Sequence, residues 1–199
     1  GYMKLKRFLA YFIDIMIVGL VASSLANIRI INPYYDEYLE VQDKIREAYK
    51  DVNEDNILDV VFKEDNINLY RDLSKCNSIT SIISVCCYVL YFVGFQKWNK
   101  DQTVGKKLMR IKVVSVDKKE VSGLDYLIRS VFAYNLLFTS LNVWVSFRFS
   151  GNMYLNLISI FSSVGSLITL VTYLMVLVRS DGRGLHDIVG HTKVVLDNE

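Results

Sequence analysis

Cysteine and proline are nearly absent: the 199 residues hold three cysteines and one proline. Three is an odd count, and Cys76, Cys86 and Cys87 show neither a disulfide framework nor a metal-ligand spacing. They read as small buried apolar residues. The one proline, Pro33, follows an apolar run and reads as a helix stop. No internal repeat and no low-complexity tract is present. Neither sign of charge dominates, since the formal net charge is +2. Also missing is the interleaving of apolar and polar residues, at helix or strand period, that a soluble globule of this size needs.

What is present instead is apolar sequence in long blocks. Apolar residues make up 52% of the chain, and they gather at about 8–31, 78–95, 124–147 and 153–178. Each block is long enough to cross the hydrocarbon of a bilayer as a helix. The first is too long for a signal-peptide core, and "VASSLA" is only a faint cleavage candidate. Gly1 and Tyr2, ahead of Met3, read as a remnant of cloning. The pattern predicts an all-α membrane protein: a four-transmembrane-helix bundle forming a single domain over 1–199.

The loops orient it. Lys4, Lys6 and Arg7 precede the first block with no acid among them. The loop after the second block carries eight basic residues, Lys118 and Lys119 among them, against three acids. Residues 32–77 carry six basic residues and twelve acids. Basic residues in short loops favour the cytoplasmic side, so both termini and the 96–123 loop are expected inside and 32–77 outside. The small net charge averages these two faces. A basic inner face suits anionic lipid headgroups, and nucleic acid is not an expected partner.

Within 32–77, Tyr38, Val41, Ile45, Ala48 and Val52 recur at spacings of three and four, which predicts an amphipathic helix. "NILDVVFKEDNINLYRDL" can form a second. An extracytoplasmic helical hairpin follows, serving either as a solvated cover over the helix ends or as a surface for a protein partner. On the inner side, "RIKVVSVD" and "HTKVVLD" read as strands that can pair into a short cytoplasmic two-stranded element.

Charges inside the apolar blocks need partners, because an ionised group in the bilayer costs several kcal/mol. Asp14 sits in the first block and Arg7 lies seven residues earlier on the same face, roughly 10 Å away. Arg129 lies at matching depth in the third block and is the expected partner of Asp14. Asp125, four residues before Arg129, can also pair with it. Asn135 lies deeper, where its amide is expected to form a hydrogen bond. Gly19, Ser23 and Asn27 in the first block, and Ser159, Ser163, Ser162, Ser166 and Gly165 in the fourth, read as helix-packing faces.

"DQTVGKKLMR" contains a glycine followed by lysine, yet lacks the leading glycine and the Ser/Thr of a phosphate-binding loop. In "RSDGRGLHDIVGHT", His186 adjoins Asp187 and His191 follows. No third ligand or nucleophile stands at useful spacing, so neither a metal, a cofactor nor an enzyme activity is expected.

These segments together resemble the RDD family of bacterial membrane proteins. "KRFLAYFID" supplies the arginine and first aspartate as Arg7 and Asp14, and "RGLHD" supplies the second aspartate as Asp187. "DQTVGKK" is similar to the family's Gly-Gln-Thr-x-Gly-Lys-Arg, with Asp101 for the leading glycine and Lys107 for the arginine. The long loop 32–77 is an insertion relative to shorter members. The resemblance implies a multi-pass protein of the cytoplasmic membrane and suspected transport of sodium or another small cation against protons. Asp14 would then be the titrating carboxylate, tuned by Arg7, Arg129, Asp125, Asn135 and Asp187. Four spans make a meagre ion path, so a homo-dimer is expected. The alternative is a non-transporting scaffold or accessory subunit whose outer hairpin binds a protein.

Overall fold

A computed structural model of the chain describes residues 2–117 and 120–197. Gly1, Lys118 and Lys119, which entered the reading above, lie outside the described residues. The elements run in order α1 (Tyr2–Ala26), α2 (Tyr35–Ala48), α3 (Ile57–Val61), α4 (Glu64–Cys76), α5 (Ser78–Val89), a π-helical segment (Leu90–Phe95), α6 (Gln96–Trp98), α7 (Val104–Leu108), β1 (Ile111–Ser115), α8 (Gly123–Ala133), α9 (Leu136–Arg148), α10 (Gly151–Val178), α11 (Leu185–Val189) and β2 (Thr192–Leu196).

Among the described residues, three stretches are long and apolar enough to cross a membrane: Tyr2–Ala26, Ser78–Trp98 and Gly151–Val178. The pair α8 and α9 qualifies as a fourth span only if taken together, because it bends by 65°. The chain is therefore a multi-pass membrane protein of the all-α class. Its surface agrees: Leu20, Leu90 and Leu167 are well exposed, which costs nothing in a solvent of hydrocarbon chains.

The first block ends earlier than its hydropathy suggested. Helix α1 stops at Ala26, and turns carry the chain through Pro33 into α2. Its buried residues are Ala10, Asp14, Val18, Ala22 and Ala26, one every four positions, so a single narrow stripe faces the bundle. The small-residue stripe expected to pack is turned away: Ser23 and Asn27 are exposed, and no atom of a neighbouring element lies within 4 Å of where a Cβ on Gly19 would stand. On α10, Ser159, Ser163 and Ser166 are likewise exposed, whereas Ser162 accepts a hydrogen bond from Asn142 and Gly165 packs against Asn135.

The third block is broken at Tyr134 and Asn135. Asn135 has a φ of 57°, in the left-handed region, which asparagine tolerates better than most residues. The expected hydrogen bond from its side chain is not made among the described residues, so this polar residue serves the backbone turn. The break frees backbone carbonyls inside an apolar layer, and the Tyr173 hydroxyl of α10 donates to that of Ala133 at 3.0 Å.

Helices α2 and α4 pack as the expected hairpin, although the segment expected as its second helix breaks at Phe62 and Lys63 into α3 and α4. Val41 is buried and Tyr38, Ile45, Ala48 and Val52 are half-buried along one stripe. It is not a loose cover. Helix α4 packs on α9 and α10 through Ile67, Val145 and Tyr154, and Asn68 accepts a hydrogen bond from the Gly151 amide at 2.9 Å. At the opposite end of the bundle, β1 and β2 pair antiparallel with Val113 opposite Val194.

Candidate functional site

At the sheet end of the bundle, two of the buried carboxylates, Asp14 and Asp187, each stand at the centre of a network. Helix α7 carries the first network to α1. Thr103 caps α7 by accepting from the Lys106 amide and donates its hydroxyl to Asp14 Oδ2 at 2.5 Å. The Gly105 amide donates to Asp14 Oδ1 at 2.8 Å, and the Tyr91 hydroxyl, placed by the π-helical segment, donates to the same oxygen at 2.7 Å. Lys106 Nζ stands 3.9 Å from Asp14 Oδ2. Asp14 is 1% exposed, so its charge is met by three donors and an ammonium.

The approach is close because residue 105 has no side chain. A Cβ there would lie 2.9 Å from Asp14 Oδ1 and nearer still to the Ala10 carbonyl oxygen. The turn before α7 uses Asp101 at φ 64°; the family motif's glycine at that position suits such a backbone. Asp101 stays useful by accepting from the Tyr126 hydroxyl at 2.9 Å.

The second network centres on Asp187 of α11, which is fully buried. Arg7 donates to its Oδ2 at 2.6 Å, the Gly184 amide to the same oxygen at 3.0 Å, and Arg129 Nη1 to Oδ1. Arg7 also donates to the Gly182 carbonyl, and Arg129 to Thr192 Oγ1 at 2.8 Å. Burial alone would raise the Asp187 pKa; the neighbouring charges, Arg129 foremost, hold it below the ordinary carboxylate range instead. The pair expected between Asp14 and Arg129 is therefore corrected: Arg129 serves Asp187, and α7 serves Asp14. Depth along two helices matched, but depth does not fix which face meets which. Asp125 acts as the third residue of α8, closing a capping box with Ser122.

Three features were not legible as site residues: Lys106, Tyr91 and the Thr103–Gly105 turn. Lys106 is 8% exposed, lies 3.3 Å from both Gln96 Oε1 and Thr103 Oγ1, and stands over the Phe92 ring. Burial pulls its pKa down to about 7; Asp14 opposes this, while Arg129 and Arg7 add to it. The only signal in the sequence was the resemblance of "DQTVGKK" to the family motif, which marked the segment without saying what it touched.

The two networks border one cavity of about 380 Å³, whose polar lining is Lys4, Arg7, Asp14, Lys106, Arg129 and His186. His186 is 5% exposed, and burial lowers its pKa to about 3, so it is neutral. Its Nδ1 has no hydrogen-bond partner among the described residues. A second cavity, of about 480 Å³, lies against the break in the third span and reaches Asn135, Ser166 and Thr169. Tyr11, Ala133, Tyr134 and Tyr173 line both cavities. The Tyr11 ring centroid is 5.9 Å from that of Tyr134 and 4.9 Å from that of Tyr173, so tyrosines form the septum between them.

No curated protein and no solved structure matches the chain. The sequence does match the model of the RDD family over residues 4–191. That match includes Arg7, Asp14, Tyr91, Thr103, Gly105, Lys106, Arg129 and Asp187, the residues that build the two networks, and the chain belongs to the RDD family.

Proposed function

We propose that this protein is a membrane transport protein whose cavity at the sheet end binds an anion. The observation that carries the reading is the charge around the cavity: Lys4, Arg7, Lys106 and Arg129 in its wall, against the carboxylate of Asp14 in the wall and that of Asp187 behind the two arginines. Asp14 is already saturated by Tyr91, Thr103, Gly105 and Lys106. Asp187 is held between two arginines. A small cation would have to displace these donors and then sit among four basic side chains. The exchanger implied by the family resemblance, with Asp14 alternating between proton and cation, has weaker geometric support for that reason. The second cavity beyond the tyrosine septum, against a broken span, supports passage further into the membrane, since irregular backbone at membrane depth occurs where it lines a cavity or is buried in protein.

The test is thermal unfolding of the purified protein in detergent with added salts. Sulfate at ten times its dissociation constant should stabilise by about 1.4 kcal/mol, or roughly 3–6 °C for a chain of this size. Sodium, potassium and lithium chlorides at matched ionic strength should not. Lys106 faces Asp14, Arg129, Arg7 and Asp187, and its pKa near 7 makes it an ammonium at pH 6 and mostly an amine at pH 8. Sulfate keeps its charge over that range, so its stabilisation should shrink from pH 6 to pH 8, and Lys106→Gln should flatten the trend. Stabilisation by sodium instead, together with a sodium-dependent response of a pH dye in proteoliposomes, would restore the cation exchanger.

The orientation belongs to the same reading: both termini and the sheet in the cytoplasm, the acidic hairpin outside, in a cell membrane. In a form with Cys76, Cys86 and Cys87 replaced by alanine, an impermeant thiol reagent should label Asp55→Cys in intact cells and leave Asp117→Cys unlabelled until the cells are opened. Labelling of Asp117→Cys in intact cells would reverse the orientation.

A further inference from the structure

Resting on the anion reading above, we propose that the ligand of this cavity is the phosphomonoester headgroup of a membrane lipid, entering sideways between α1 and α10. Three observations converge on it.

The first is an unused set of donors. Arg129 spends Nη1 on Asp187 and Thr192, and its Nε and Nη2 have no hydrogen-bond partner among the described residues. That edge of a guanidinium is the planar fork that grips two oxygens of a phosphate. The Arg129 side chain is 10% exposed, so the fork is held in a fixed place. Lys106 supplies a compact charge in the same wall. A phosphomonoester offers three terminal oxygens to such a set, and a diester offers two.

The second is where the cavity opens. Phe8 and Leu177 both line it, and they are 63% and 60% exposed. The same side chains are thus cavity wall and lipid-facing surface. Helix α1 packs along α5 and α7, while α10 packs on α9, α4, α8 and α11. Between α1 and α10 stands the cavity, bridged at its rim by Lys4 Nζ donating to the Leu177 carbonyl at 2.5 Å. A soluble anion has no use for an apolar side door, whereas a lipid has its chains in the bilayer and only its headgroup to bring in.

The third is the rest of the lining. Ala10, Ile111, Val176 and Val194 surround the polar floor, which suits the first carbons of a chain behind a charged head. Lys4 at the rim attracts anionic headgroups from the membrane surface.

The full chain in detergent, titrated with dioctanoyl phosphatidic acid, dioctanoyl phosphatidylglycerol and inorganic phosphate, tests this. Phosphatidic acid should bind at least tenfold more tightly than either of the others. Arg129→Lys keeps the charge and loses the fork, and should cut that affinity at least tenfold. Should Arg129→Lys not fold, Leu177→Trp carries the test alone: it lies at the exposed rim and should weaken phosphatidic acid several-fold while leaving inorganic phosphate unchanged. Equal or tighter binding of inorganic phosphate, with no effect of Leu177→Trp, would overturn the lipid inference and leave the anion site standing. Equal binding of both lipids, unaffected by either variant, would reduce it to attraction at the surface lysines. Binding of none of the three would remove the anion site as well.

Discussion

Asp187→Asn is expected to destabilise the protein by about 3–5 kcal/mol, the cost of leaving buried charge uncompensated. The substitution keeps the shape of the side chain and its reach to the Gly184 amide. It removes the one charge that Arg7 and Arg129 share, and both arginine side chains are only 10% exposed. Thermal unfolding in detergent measures it. The pairing is read from cycles with Arg129→Gln: Asp187→Asn and Arg129→Gln should couple by more than 1 kcal/mol, because once one partner is gone the other is already stranded. Asp14→Asn and Arg129→Gln should couple less, since they belong to separate networks. A loss below about 1 kcal/mol for Asp187→Asn, or the larger coupling in the Asp14 pair, would overturn the assignment of Arg129 to Asp187.

Periodicity and block length made most of the fold legible. Apolar runs of bilayer length, the stripe from Tyr38 to Val52 and the two β-branched segments near 111–115 and 192–196 each report a local preference, and local preferences survive in the structure. The site was legible in membership and illegible in pairing. Arg7, Asp14, Arg129 and Asp187 stand out because charge in an apolar run is costly. Arg7 and Asp187 are 180 positions apart, and only the return of α11 beneath the bundle brings them together. Periodicity is equally blind to a break that costs one residue its helical φ. Asn135 therefore looked like a buried donor inside a continuous helix, when it is the left-handed residue between two shorter ones.

The two networks divide the mechanical work at this end of the molecule. Asp187 ties α1 and α8 to α11 and, through Thr192, to the start of β2. Asp14 ties α1 to α7 and to the π-helical segment. Because β1 follows α7 by two residues and pairs with β2, both networks hold the same two-stranded sheet against the bundle, and the cavity lies between them. Anything that changes the contents of the cavity acts on Lys106 and Arg129, one from each network, and so bears on how that sheet is held.

Gly105→Ala is the sharpest probe of this arrangement. A methyl group at residue 105 meets the Ala10 carbonyl oxygen and Asp14 Oδ1. The first is main chain of a spanning helix and cannot turn aside; the second is held by Tyr91 and Thr103. Helix α7 must therefore lift away from α1, which forfeits the Gly105–Asp14 hydrogen bond and strains the one from Thr103. Overpacking costs about 1–3 kcal/mol, and a buried carboxylate losing a donor adds about 1–3 kcal/mol more, so a total of roughly 2–6 kcal/mol is expected. Gly123→Ala is the matched control, since no atom lies within 4 Å of the Cβ it would add, and it should change stability by less than about 0.5 kcal/mol. Lifting α7 also uncovers Lys106, so brief trypsin treatment should cut Gly105→Ala at Lys106 or Lys107 at least tenfold faster than Gly123→Ala. Equal melting temperatures and equal cleavage for the two alanine variants would mean that α7 does not dock on α1 at Asp14, and the first network would have to be redrawn without it.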